Sequence, residues 1–375
     1  MKSPARLCIF LLTVFQLLFT STSFSTQRIH QSRRLGKYKE VVDTWALYEV
    51  SGDTSIELNG VPQEDISLRF SGVGRLYHDP SQTKKQQEEE SGDVIACSSD
   101  DAHMEVVEKL SKSTVAIVGI GGVGSWAAEA VCRSGVGNII LMDLDDICTS
   151  NINRQLHALS STVGQMKIDE MKKRLLLINP NCNVTLVHDF IGVDNAEDIV
   201  QTQFIPAGVD IILDAIDGTD EKAALIAAAC RNQVPVVTCG GAAGRVDPTQ
   251  IVCDDLSKSN QCRLLFWCKK QLRDKYKLFP KGPSTKGVNI KKHRTRKWRI
   301  WSVFSEEVIT KKNDNSSSTS SLRTCDGPLG TACFVTGTYG FVAASKVISM
   351  LANEDELIKP KILKSALALP FVESK

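Results

Sequence analysis

The sequence contains no C-x-x-C pair, although it has twelve cysteines in 375 residues. A structural zinc site of the kind that gathers four thiolates from two such close pairs is therefore disfavoured. A disulfide framework is disfavoured too, because the cysteines are scattered and Cys132, Cys148, Cys239 and Cys253 fall in or beside expected core elements, as buried reduced thiols do. Strong charge of one sign is also missing. A formal net charge of +2 excludes no class of partner, and only its distribution informs. Apolar residues are not scarce: 42% hydrophobic and 23% charged residues give ample core for an α/β catalytic unit with extensions.

The segment from Phe24 to Lys37 lacks acidic residues. It follows a run in which Lys2 and Arg6 precede the apolar Leu7–Phe19 and the small residues Ser21-Thr-Ser23, the pattern of a signal peptide over residues 1–23, too short for a comfortable membrane span. Residues 24–60 begin basic and hydroxyl-rich, like a transit peptide. The tandem is similar to the bipartite presequences that lead into plastids bounded by extra membranes. A plastid is therefore expected, with mitochondrial, endomembrane or membrane-anchored fates as alternatives, and no stable membrane association after processing. Residues 61–101 comprise an arm, Val61 to Tyr77, and a charged, apolar-poor stretch, Gln82 to Ser99, read as a disordered insertion.

Residues 102–257 read as one nucleotide-binding domain. A helix from Ala102 to Leu110 leads to the β-branched run Thr114–Val118, a strand buried on both faces. Gly119-Ile-Gly121-Gly122-Val-Gly124 follows, and then a helix begins. Glycines at a strand-to-helix turn let the backbone approach a phosphate that the helix amides attract. With Asp143 after the strand Asn138–Met142, these glycines suit a nicotinamide-dependent oxidoreductase equally well. What comes next shifts the balance: Asp143-Leu-Asp145, Asn151-Ile-Asn153-Arg154-Gln155, Lys167 early in a helix, and a strand ending in Asp214-Ala-Ile-Asp217. A guanidinium and an ammonium are needed where ATP is attacked at its α-phosphate, since charge develops on phosphate oxygens. Helices Thr162–Ile178, Asn195–Gln201 and Asp220–Arg231 alternate with strands Asn183–Val187, Asp210–Leu213 and Val234–Thr238, which predicts a three-layer, doubly wound, Rossmann-like α/β sheet with its ligand at the carboxyl ends of the strands.

This array resembles the ThiF/MoeB-like superfamily, relatives of ubiquitin-activating enzymes that adenylate carboxylates. Gly119-IGGVGSWAAEA-Val131, Asn153-Arg154-Gln155-Leu-His157-Ala-Leu159, Cys239-GGAAGRVDPTQ-Ile251 and Arg69-FSGVG-Arg75-Leu-Tyr77 look most like its tRNA threonylcarbamoyladenosine dehydratases. The sulfur-carrier activators of the superfamily commonly carry the C-x-x-C pairs missing here. The resemblance implies ATP and Mg²⁺ as cofactors, tRNA as substrate and a homodimer, and it leaves a monovalent-cation site and a sulfur-transfer or carrier-protein partner open. It assigns Gly119, Gly121, Gly122, Gly124, Asp143, Asn151 and Asn153 to nucleotide binding. Arg154 and Lys167 become catalytic cations, Asp217 a magnesium ligand or α-phosphate positioner, and Arg75 an arginine reaching into the partner subunit's ATP site. The implied chemistry joins the carboxylate of N6-threonylcarbamoyladenosine, next to the anticodon, to AMP, and the acyl adenylate then cyclises. Activation of a ubiquitin-like or sulfur-carrier C-terminus is the alternative that shares this site, and a silent RNA-binding adaptor is another. Cys325 and Cys333 have no neighbouring base in sequence, and His157 reads as structural.

Residues 258–330 change character. Lys269, Lys270, Lys291, Lys292, Arg294 and Arg296 belong to a run in which Asp274 is the lone acid, interleaved with Phe266, Trp267, Tyr276, Phe279, Trp298 and Trp301. Cations with aromatic rings are the footprint of an RNA surface, and Trp298 and Trp301 are the expected stacking rings. Asn313–Ser321 reads as a flexible loop. The last part, residues 331–375, is expected to open with a helix over Thr331–Leu351. Its length approaches a membrane span, but its small residues suit close packing in a core or dimer interface.

Overall fold

The computed structural model describes residues 63–77, 99–280, 297–308, 329–353 and 359–363. The presequence, the insertion from Gln82, the cations Lys291, Lys292, Arg294 and Arg296, the serine-rich loop and Cys325 lie outside the described residues. The elements in chain order are α1 (Gln63–Tyr77), α2 (Ser99–Lys112), β1 (Thr114–Val118), α3 (Gly124–Arg133), β2 (Asn138–Met142), α4 (Lys167–Ile178), β3 (Asn183–Val187), α5 (Ala196–Ile199), β4 (Ile211–Asp214), α6 (Thr219–Arg231), β5 (Val236–Cys239), β6 (Ile251–Asp255), α7 (Arg263–Asp274), β7 (Trp301–Ser305) and α8 (Cys333–Ala352).

The strands form one seven-stranded sheet in the order β3-β2-β1-β4-β5-β7-β6. Every pairing is parallel except β6 with β7, so the sheet is α/β and doubly wound with a mixed end. β1, β4 and β5 are buried along their whole length, as expected of strands covered by helices on both faces. One core layer gathers Val115, Ile117, Ala127, Val131 and Leu213 with Tyr339 and Val347 of α8. The other gathers Ala116, Met142, Phe204 and the alanines of α6 with Leu265 and Leu272 of α7.

Several boundaries differ from the sequence reading. The helix expected from Thr162 begins at Lys167, because residues 145–148 and 164–167 pair as a short ribbon through Ile147 N to Gln165 O, Gly164 N to Ile147 O and an Asp146–Met166 bridge. The helix expected over Asn195–Gln201 is α5, continued by a π turn over Val200–Phe204. β6 begins only at Ile251, since Pro248 opens a 3₁₀ turn capped by the Asp247 carboxylate. α8 packs against α3, and Gly340 permits it: a Cβ there would stand 2.7 Å from Val123 O. Its buried face makes α8 a core helix, in accord with its small residues.

Candidate active site

At the carboxyl ends of the parallel strands lies a cavity of about 920 Å³. The glycine turn forms its floor. Gly119 has φ +87° and lies so close to β4 that a Cβ would meet the Ala215 carbonyl at 3.0 Å, so only glycine serves there. At Gly124 a Cβ would strike Gly119 O at 1.8 Å. Gly121, where a Cβ would come no closer than 3.8 Å to Gln155 Nε2, lines the cavity with Gly119 and Gly122, whereas Gly124 is needed for the turn and is not in the wall. No side chain caps α3 and its first turn carries no acid, so its amides present positive potential to the cavity.

Asp143 is buried and secures this turn to β2. Its Oδ2 accepts from Ile120 N at 2.7 Å and its Oδ1 from Asp145 N at 2.9 Å, and it also lines the cavity. His157 buttresses the same turn, with Nε2 2.7 Å from Ile120 O. Burial is the main cause that holds its pKa below the usual histidine range. A histidine depressed in this way stabilises the fold above its unfolded pKa of about 6.5, and that contribution is lost as pH falls through the folded value. Melting temperature measured from pH 7 down to pH 5 should therefore fall, and His157→Asn should flatten the profile. An unchanged slope in the variant would place the acid sensitivity elsewhere.

Asn151, Arg154, Gln155, Lys167 and Asp217 line the cavity together. Arg154 is buried, and its Nη1 donates to Ser150 O at 2.6 Å and to Asn153 Oδ1 at 3.0 Å. Its carbonyl accepts from Trp126 Nε1 at 3.0 Å and from Thr336 Oγ1 of α8 at 3.1 Å. The residue is held at both ends. Asn153 is not in the cavity wall. It orients Arg154 instead, while its Nδ2 donates to Thr331 O at 2.9 Å. Asn151 is buried and also structural, since its Oδ1 accepts from Cys148 N at 3.0 Å.

The short ribbon delivers Lys167 as the first residue of α4. Its Nζ lies 2.6 Å from Asp145 Oδ2, a bridge in which the lysine side chain is 7% exposed and the aspartate 54%. Asp217 is exposed at the cavity wall, just past β4. Beneath it sits a group that the sequence reading missed. Asp214 and Lys222 have fully buried side chains 2.8 Å apart, and Thr238 Oγ1 donates to Asp214 Oδ2 at 2.6 Å. The other aspartate oxygen accepts from Ile216 N at 3.1 Å, fixing the turn that carries Asp217.

Other missed residues complete the walls: Asp145, Gln155 with an Oε1 that is buried and unpartnered, Phe190, Glu221, Cys239 and the small residues Gly240 to Ala243. Asp145 and Gln155 stand within the quoted motifs, so a signal existed for them. Cys239 is no nucleophile, because burial pushes its thiol up to about 12. No disulfide joins the described cysteines, and six of the nine are buried.

Arg75 lies on α1, exposed and absent from this cavity's wall, with Nη2 3.4 Å from Ser71 Oγ. Lys269 turns inward, donating to Ser259 O at 2.6 Å, and burial lowers its pKa, so it is no free phosphate contact. Trp298 is not a surface stacking ring. It is buried and stacks on Phe279 with centroids 3.9 Å apart and planes at 4°. Trp301 is half-buried beneath Lys346, whose Nζ is 3.8 Å from the ring centroid. Lys270 remains exposed.

Residues 97–370 match the ThiF family. The chain belongs to that family. Among its ThiF relatives, the tRNA threonylcarbamoyladenosine dehydratase of Haemophilus influenzae is 39% identical over 299 residues, covering 80% of this chain and 96% of the relative. The protein of that name from Escherichia coli is 38% identical over 291 residues, 76% of this chain and 93% of its own. Crystal structures of the E. coli dehydratase in complex with AMP and with ATP are each similar at a TM-score of 0.59 and 34% identity. They cover 78% of this chain and 98% or 97% of theirs. A ThiF relative of another activity, the molybdopterin-synthase adenylyltransferase of E. coli, is 36% identical over only 140 residues, 37% of this chain and 53% of that one.

Proposed function

We propose that this ThiF protein is an ATP-dependent dehydratase that cyclises N6-threonylcarbamoyladenosine in tRNA through an acyl adenylate. The observation that carries the reading is the convergence of Arg154, Lys167 and Asp217 with the glycine turn in one cavity, in a chain alignable with dehydratases over almost their whole length. The phosphates lie on the glycine turn and the α3 amides. The substrate carboxylate attacks the α-phosphorus, and pyrophosphate leaves. Arg154 and Lys167 offset the charge that develops on the phosphate oxygens, held in place beforehand by Asn153 and Asp145. The threonylcarbamoyl group then closes on its own activated carbonyl and AMP departs, a step favoured because both partners belong to one nucleoside. No cysteine is required.

Asp217, with Glu221 in the same wall, offers the oxygen donors that a hard cation accepts while keeping several waters and the nucleotide phosphates as further ligands. These residues would hold Mg²⁺, which supplies neutralisation of phosphate charge when bound. Asp217→Asn should lower magnesium-dependent turnover by at least the roughly tenfold that loss of even an outer metal partner costs, with tRNA binding retained. Equal loss in a filter-binding assay without ATP would make Asp217 a structural residue.

The remaining parts of the proposal concern partners. Arg75 would act in a second subunit's cavity, and Lys270 with Lys291, Lys292, Arg294 and Arg296 would contact tRNA phosphates. A monovalent cation and a sulfur-transfer protein are secondary elements, and the plastid is the proposed compartment. The deciding experiment is pyrophosphate release with threonylcarbamoylated tRNA, unmodified tRNA and a carrier-protein C-terminus in parallel. Release with the first alone is expected, and release with the third alone would overturn the reading.

A further inference from the structure

Helix α7 has two faces of opposite character. Leu265, Cys268 and Leu272 are buried, whereas Arg263, Phe266, Trp267 and Lys270, spaced i, i+3, i+4 and i+7, share the outer face. Phe266 is 55% and Trp267 41% exposed. Their rings meet edge to face at 5.4 Å and 82°, and Lys270 Nζ stands 4.8 Å from the Trp267 centroid. The same helix reaches the active cavity, because Leu264 lines it. At 1.5 Å of rise per residue, Trp267 lies about 4.5 Å further along the axis than Leu264, within one helical turn of the cavity wall.

We propose that Phe266 and Trp267, flanked by Arg263 and Lys270, form a stacking platform for the unpaired base that neighbours the nucleoside held in the cavity. This rests on the tRNA reading above. A substituent on N6 occupies the pairing edge of adenine, so the target nucleotide lies in unpaired RNA whose neighbouring bases have free faces. Aromatic faces bind such bases irrespective of sequence, and the two cations match the phosphates between them. Trp298 and Trp301, the rings that the sequence favoured for this role, are occupied by Phe279 and Lys346.

The test uses the full chain with threonylcarbamoylated tRNA, measuring Kd by anisotropy without ATP and turnover by pyrophosphate release. Phe266→Ala/Trp267→Ala should raise Kd and KM about tenfold or more with kcat and the salt dependence of binding retained, since rings and not phosphate contacts are lost. Phe266→Tyr/Trp267→Phe should restore binding, which a merely structural defect would not predict. Arg263→Ala/Lys270→Ala should instead flatten the salt dependence, by a slope of about two. Unchanged Kd in the double alanine variant, with wild-type turnover of tRNA intact, overturns the platform alone. A shift of that variant to a smaller species on gel filtration, with Kd unchanged, would make the patch a contact between copies. If the wild type activates only a carrier-protein C-terminus, the platform and the dehydratase reading fall together.

Discussion

Replacing Arg154 with alanine should lower pyrophosphate release on the order of 10²-fold or more, because the guanidinium stabilises charge that exists only as the α-phosphate is attacked. Lys167→Ala should do the same. Neither change should unfold the protein. The Arg154 contact that holds α8 is made by its backbone carbonyl, which alanine keeps. Removing the Lys167 ammonium leaves Asp145 unpaired but 54% exposed, where water solvates it. Melting temperature should move by only a few degrees, as for changes that leave no buried orphan. Near-normal turnover in both variants would remove this cavity as the adenylation site.

The reverse pattern is expected at the buried pair. Lys222→Met leaves the Asp214 carboxylate with no countercharge at zero exposure, and breaking such a pair costs about 3–5 kcal/mol. Denaturant unfolding should show the loss directly. Because Asp214 also holds the turn ahead of Asp217, nucleotide affinity should fall in whatever protein remains folded. The double variant Asp214→Asn/Lys222→Met removes both charges and should recover much of the stability without recovering full activity. If the single variant is as stable as the parent, the charge pair is not what supports β4 and α6.

The nucleotide turn was legible because everything that makes it is local: a β-branched strand, glycines at fixed spacing and a helix start lie within a few residues. Arg154 and Lys167 were legible by type, but what aims them was not. The grip of Asp145 on Lys167 needs the pairing of residues 145–148 with 164–167, and the anchor of Arg154 needs Thr336, remote in sequence. Lys222 illustrates the limit. A lysine in the first turns of a helix reads as a solvated residue, and only the meeting of β4, β5 and α6 shows it to be wholly inside. Trp298 failed for the opposite reason: its cationic neighbours suggested a surface, while the ring lies against Phe279. That β7 inserts between β5 and β6 could not be read from the order of the elements in the chain.

That insertion, with α8, bears on how the molecule is made. The residues that would contact ATP are nearly all encoded between 119 and 221, yet the loops that carry them are pinned by Thr331, Thr336 and Tyr339, the last through its hydroxyl 3.2 Å from Gly241 O. A ribosome therefore releases the whole phosphate machinery well before the helix that fixes it has emerged. The nascent chain holds the parts of an adenylating centre without their alignment. Alignment of that machinery therefore depends on contacts supplied by Thr331, Thr336 and Tyr339, far further along the chain than the residues they hold.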